Sequence, residues 1–154
     1  MFVYKSLSFI APNYTWGKSL EKAVGTCGVK YIQGQQRGRY RNTEGEDNRI
    51  RMRSMGKQNE CGLIDLWRNA MFEPSENPKK DWVSSCMKEI EIAFRWHHPA
   101  IICSHRVNFV GTINVANRDN GLKQLSILLK QIKQKWPDVE FMSSDQLGEL
   151  IIAK

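Results

Sequence analysis

Apolar positions along this chain recur with two different spacings, and the switches between them outline its elements. Ser6-Leu-Ser-Phe-Ile-Ala11 is a short β-type run stopped by Pro12-Asn13. Leu20, Ala23, Val24 and Cys27 then fall on one stripe of a helix spanning Trp16 to Thr26, with Gly28 where a C-terminal cap belongs. Val29 to Gln33 reads as a second strand and Leu63 to Phe72 as a third, followed by a loop over Glu73–Lys80. A helix from Asp81 to Trp96 places Val83, Cys86, Met87, Ile90 and Phe94 on one face, and Pro99 prevents its continuation. Ala100-Ile-Ile-Cys-Ser104 has the unbroken apolar character of a strand covered on both faces. A polar loop from Val107 to Asp119 precedes a helix over 120–136, with Leu122, Leu125, Leu129, Ile132 and Trp136 inward and Pro137 closing it. Val139 to Met142 makes a last strand. Ser143 or Ser144 caps a final helix through Leu147, Leu150 and Ile151.

This order of elements predicts an α/β fold in a single domain, residues 1–154. The architecture is either a partial (β/α) barrel or an open, mostly parallel sheet with flanking helices. In such folds ligands sit at the C-terminal ends of the strands. Residues 34–60 interrupt the pattern, being rich in Gly, Arg, Asn and Gln with little that could form a core. Arg37, Arg39 and Arg41 alternate, as do Arg49, Arg51 and Arg53, on either side of Thr43-Glu-Gly-Glu-Asp47. That spacing suits an exposed basic hairpin or a mobile loop.

Composition narrows the picture. Of 154 residues, 41% are hydrophobic and 25% charged, which suits a globular chain. No apolar run approaches the roughly 18 residues a membrane span needs, and Met1 to Leu7 lack the basic start of a secretory signal. The expectation is a cytoplasmic protein without membrane association. A net charge of +7 favours anionic partners, with nucleic acid, an acidic glycan or no anionic partner as the classes to weigh. Cys27, Cys61, Cys86 and Cys103 are widely spaced without a Cys-x-x-Cys, and three fall on apolar faces. Buried thiols are expected rather than disulfides or zinc ligands.

Candidate chemistry collects after the strands. Pro12 to Trp16 follows the first and supplies Asn13 and Trp16. Arg68, Asn69 and Glu73 lie at the end of the third, and Ser104-His105-Arg106-Val107-Asn108 follows the fourth. On one rim, an imidazole, two arginines, amides and an indole would suit a carbohydrate or carboxylate ligand. His105 is the candidate acid or base, while His97 and His98 read as helix C-terminal groups. Asp65, Glu73, Asp81 and Asp145 are the better-placed carboxylates, and nothing local pairs them. No nucleophile elbow, phosphate-binding loop or dinucleotide fingerprint occurs. The Arg-rich segment 37–53, with Tyr40 as a stacking surface, supports an alternative, non-enzymatic module binding anions or nucleic acid.

Ser8-Phe-Ile-Ala-Pro-Asn-Tyr-Thr-Trp16, Val29-Lys-Tyr-Ile-Gln-Gly34, Ala100-Ile-Ile-Cys-Ser-His-Arg-Val-Asn-Phe-Val-Gly111 and Trp136-Pro-Asp-Val-Glu-Phe-Met-Ser-Ser144 resemble the C-terminal half of polysaccharide deacetylase-like proteins, most of all a Bacteroides-type branch. The resemblance implies a distorted (β/α) barrel and removal of acetyl groups from N-acetylated sugars with the help of a divalent metal. It makes His105 the late-strand histidine that protonates the leaving amine. Ile10 stands where the family's arginine-proline substrate loop would have arginine. The paired aspartate and His-x-x-x-His metal motifs of the family's N-terminal half do not occur here. The implication is a chain that holds no metal by itself. It would be inactive or incomplete alone, and a zinc-like ion would come only with ligands from a complementary N-terminal half. A carbohydrate ligand and a homodimer are the partners expected on this resemblance.

Overall fold

A computed structural model describes residues 5–40, 49–112 and 114–153. The chain is α/β, as the alternation of periods predicts. Its backbone divides into two compact units, Met1–Trp67 with Phe141–Lys154, and Arg68–Glu140. The first contains β1 (Ser8–Ile10), β2 (Thr15–Trp16), α1 (Lys18–Thr26), β3 (Tyr31–Gly34), β4 (Arg37–Tyr40), β5 (Arg49–Met52), β6 (Ile64–Trp67) and α4 (Ser144–Ile152). The second contains β7 (Ala70–Met71), α2 (Trp82–Arg95), β8 (Ile102–Cys103) and α3 (Val115–Lys135).

In the first unit β1, β3 and β6 lie side by side, all parallel, with Phe9 opposite Ile32 and Ile32 opposite Asp65. Ala11, Trp16, Ile32 and Leu63 form the buried cluster beside this sheet. Leu20 and Val24 of the expected α1 stripe pack against this cluster, but the rest of the stripe does not. Ala23 and Cys27 are exposed, whereas Glu21 is buried and accepts from the Trp16 indole at 3.0 Å and the Asn59 amide at 3.2 Å. Those two donors make burial of the carboxylate tolerable. α4 begins at Ser143, whose hydroxyl and Gln146 cap it reciprocally. It meets β3 at Gly148, where a Cβ would fall 2.3 Å from the Tyr31 ring, so Leu150 is left exposed rather than inward.

The described part of the basic segment pairs as two antiparallel strands. β4 and β5 are antiparallel, with Arg37 opposite Met52 and Gly38 opposite Arg51, so no arginine in this register faces another. Like charges directly opposite would repel. Arg41 and the acidic centre Thr43–Asp47 lie outside the described residues. The segment is also less solvated than its composition suggests. Arg53 is buried, 3.6 Å from Asp65, with its guanidinium 3.9 Å from the centre of the Trp16 ring.

In the second unit Ala70, Phe72, Trp82, Val83, Cys86, Ile90, Leu128 and Ile132 form the core. α2 follows the predicted face closely, and Asp81 caps it by accepting from the Ser84 amide at 3.0 Å. α3 departs from expectation twice. It starts at Val115, inside the expected loop, because Asn114 caps the Ala116 and Asn117 amides. Its inward face is also only partly the expected one: Leu125, Ile132 and Trp136 pack on the core, but Leu122 and Leu129 are exposed while Gly121 and Leu128 are buried. The predicted third strand is broken into β6 and β7 at Arg68-Asn69. The predicted strand over 139–142 does not form. The Lys133 ammonium donates instead to the Pro137 carbonyl at 2.5 Å and the Val139 carbonyl at 3.5 Å.

Candidate functional site

The site in the second unit is created by strand register. β7 and β8 are parallel, with Ala70 opposite Ile102 and Met71 opposite Cys103. The Phe72 amide donates to the Cys103 carbonyl at 2.9 Å, which extends the pairing past the strands. Two residues beyond β7 and β8, the same offset of 32 residues sets Glu73 against His105.

Glu73 is 3% exposed and accepts three hydrogen bonds. Its Oε1 lies 2.7 Å from His105 Nδ1, while Oε2 accepts from the His105 amide at 3.2 Å and from Asn108 Nδ2 at 2.7 Å. Asn108 is fully buried and ties the corner together. Its Nδ2 also reaches the Ser104 hydroxyl at 3.1 Å and the His105 carbonyl at 2.9 Å. Its Oδ1 accepts from the Ser75 amide at 2.9 Å and the Ser75 hydroxyl at 2.7 Å. A carboxylate has only acceptor capacity, so the bond to Oε1 assigns the proton of the neutral ring to Nδ1. Nε2 then carries the lone pair. The His105 side chain is 67% exposed, so an oriented imidazole stands at the surface on a buried, fully hydrogen-bonded support. This arrangement suits proton transfer at Nε2, with the carboxylate stabilising the imidazolium once it forms.

His105, Arg106, Val107, Val110 and Asn117 contribute to a cleft of about 640 Å³ that also includes Thr112 and Asn114. The structure therefore brings His105, Arg106 and Asn108 together, Asn108 as a buried brace rather than a surface contact. Arg68 and Asn69 lie at the other end of the same strand pair. The Asn69 side chain accepts from the Ile101 amide at 2.7 Å and donates to the Pro99 carbonyl at 2.9 Å, tying the starts of β7 and β8 together. Arg68 Nη1 is 3.5 Å from the Cys103 sulfur. Asn13 and Trp16 belong to the first unit. Asn13 is exposed with φ 53°, while Trp16 is 4% exposed with its ring already engaged by Glu21 and Arg53.

In the sequence Glu73 simply follows a strand, and neither its link to His105 nor the part played by Ser75 is visible there. All four cysteines are thiols. Cys86 and Cys103 are buried, Cys61 is half-buried, and Cys27 is exposed instead of lying on an apolar face. Among the described residues no cluster of three or more His, Cys, Asp or Glu could hold a metal. The donor set of the resembled family is not assembled among those residues. No helix among the described residues is long and apolar enough to cross a membrane. No protein-family model, curated protein or solved structure matches this chain.

Proposed function

We propose that this chain is a carbohydrate-processing or carbohydrate-binding domain of the polysaccharide deacetylase-like type, with His105 as its acid–base residue and Glu73 as the group that orients it. The bond between His105 Nδ1 and the buried Glu73 carboxylate carries this reading, because it leaves Nε2 directed to chemistry outside the network. In amide hydrolysis Nε2 takes a proton from water as its oxygen attacks the acyl carbon. The imidazolium then gives that proton to the departing nitrogen as the carbon–nitrogen bond breaks. Asn108 holds Glu73 in place throughout.

Acetate release from N-acetylated chitooligosaccharides, with and without added zinc, tests the enzymatic form. His105→Ala is expected to lower the rate about 10²- to 10⁴-fold. Release no greater from the native chain than from His105→Ala rejects independent activity on these substrates. A companion NMR titration with the same oligosaccharides tests the binding form, which is rejected if no resonance of the cleft moves.

A second reading, as an anion- or nucleic-acid-binding module, draws support from the antiparallel pairing of β4 with β5, which aligns two arginine-bearing strands. RNA or heparin retention that falls with rising salt and with paired Arg→Gln changes at 37 and 39 supports it; no retention at low salt rejects it.

A further inference from the structure

Among the described residues that line the cleft beside His105, Arg106 is a cation and none is a carboxylate. The lining side chains are an imidazole, a guanidinium, two valines, a threonine and two asparagines. Glu73 is buried beneath the ring with both oxygens engaged. Arg106 is exposed and makes no ion pair with a described residue. Val107 and Val110 are 47% and 41% exposed, giving the same cleft an apolar wall. Its volume lies within the usual range for small-molecule sites.

From this we infer that the cleft selects a small acidic sugar, a uronate of one or two rings, by its carboxylate. The inference rests on the carbohydrate reading above and adds the charge class of the ligand. Arg106 receives the carboxylate through the forked geometry of the guanidinium, which a neutral sugar cannot use. The C–H face of the ring lies on Val107 and Val110, and Asn117 is available to the hydroxyls. One cationic fork on an apolar wall matches a single carboxylate carried on an extended body better than a compact multivalent phosphate.

Three probes test this by chemical-shift titration at low salt: digalacturonate, its dimethyl ester and benzoate. Digalacturonate is expected to move the resonances of His105, Val107, Val110 and Asn117, and to bind about tenfold more tightly than the ester. Arg106→Gln should bring the acid down to the level of the ester, and Arg106→Lys should recover part of the difference. Arg106 is exposed, so neither change threatens folding. Equal binding of acid and ester, or an Arg106→Gln protein that binds the acid unchanged, overturns the charge selection while leaving the carbohydrate reading in place. Arg106-dependent binding of benzoate without digalacturonate overturns the sugar instead. Silence from all three probes overturns both.

Discussion

Gly121 of α3 lies so close to Asn108 that a Cβ built on it would be 1.9 Å from the Asn108 carbonyl oxygen. The helix can approach the turn that carries the site only because this position has no side chain. Gly121→Ala must therefore move either α3 or residues 106–108. A loss of about 1–3 kcal/mol is expected in urea unfolding. The His105 imidazole ¹⁵N shifts should also move away from the Nδ1–H pattern. Native stability together with native imidazole shifts would show that the contact is unimportant.

Asn108 supports the acid from beneath. Asn108→Ala removes the donor to Glu73 Oε2 and the acceptor of the Ser75 amide, leaving buried polar groups exposed to no water. The expected cost is about 2–3 kcal/mol, measurable as a lower urea midpoint with an unchanged slope.

α2 ends in a Schellman motif, in which the His97 amide donates to the Phe94 carbonyl and the His98 amide to that of Ala93. His97 adopts φ 55° to complete it, a conformation that disfavours any side chain. His97→Gly should thus stabilise the protein by roughly 0.5–1 kcal/mol, an unusual sign for a helix-end substitution. Thermal unfolding would show it as a higher midpoint.

Acid should weaken the second unit through α2. The Lys135 ammonium, by hydrogen bond and by charge, holds Glu91 below the usual carboxylate range, and Arg95 adds to this. Hydrogen bonds from the Ser84 side chain and amide do the same for Asp81. Both groups lose protons more readily folded than unfolded. Their stabilisation is complete above the ordinary carboxylate range and disappears as pH falls through the lowered folded values. Lys135→Met should lower the melting temperature at pH 7 and converge with the native chain near pH 2.

Cysteine reactivity should divide the chain sharply. Burial, with a contribution from Glu89, pushes the Cys86 thiol up to about 12, so almost no thiolate exists at pH 8. Exposed Cys27 should be alkylated by iodoacetamide in the folded chain. Cys86 should react only on unfolding, and mass spectrometry of timed samples separates the two.

The parts of this molecule that are local in sequence were legible from it. α2 could be read because Val83, Cys86 and Ile90 recur at helical spacing and Asp81 caps them, all within sixteen residues. α3 was legible in part: Leu125, Ile132 and Trp136 pack as the pattern predicts, but Leu122 and Leu129 do not, because Gly121 rather than a leucine sits where the helix approaches its neighbour. Glu21 escaped notice for a related reason, since its burial depends on donors from Trp16 and Asn59 rather than on its own polarity. His105 was recognisable as a reactive side chain at a strand end. Its partnership with Glu73 was not, because it depends on the alignment of two strands that no local pattern encodes.

That alignment makes the site more sensitive to length than to composition. Pairing of Ala70 with Ile102 acts as a reading frame for everything that follows both strands. A residue deleted between the end of β8 and His105 would bring Arg106 opposite the Glu73 carboxylate, with every chemical group still in the chain. Insertions in the exposed stretch of the 73–80 loop or after α2 leave the frame intact, provided the strands still meet in register. Variation in this protein should accordingly tolerate changed lengths in the crossover between β7 and β8, yet almost none in the few residues from each strand to its polar end.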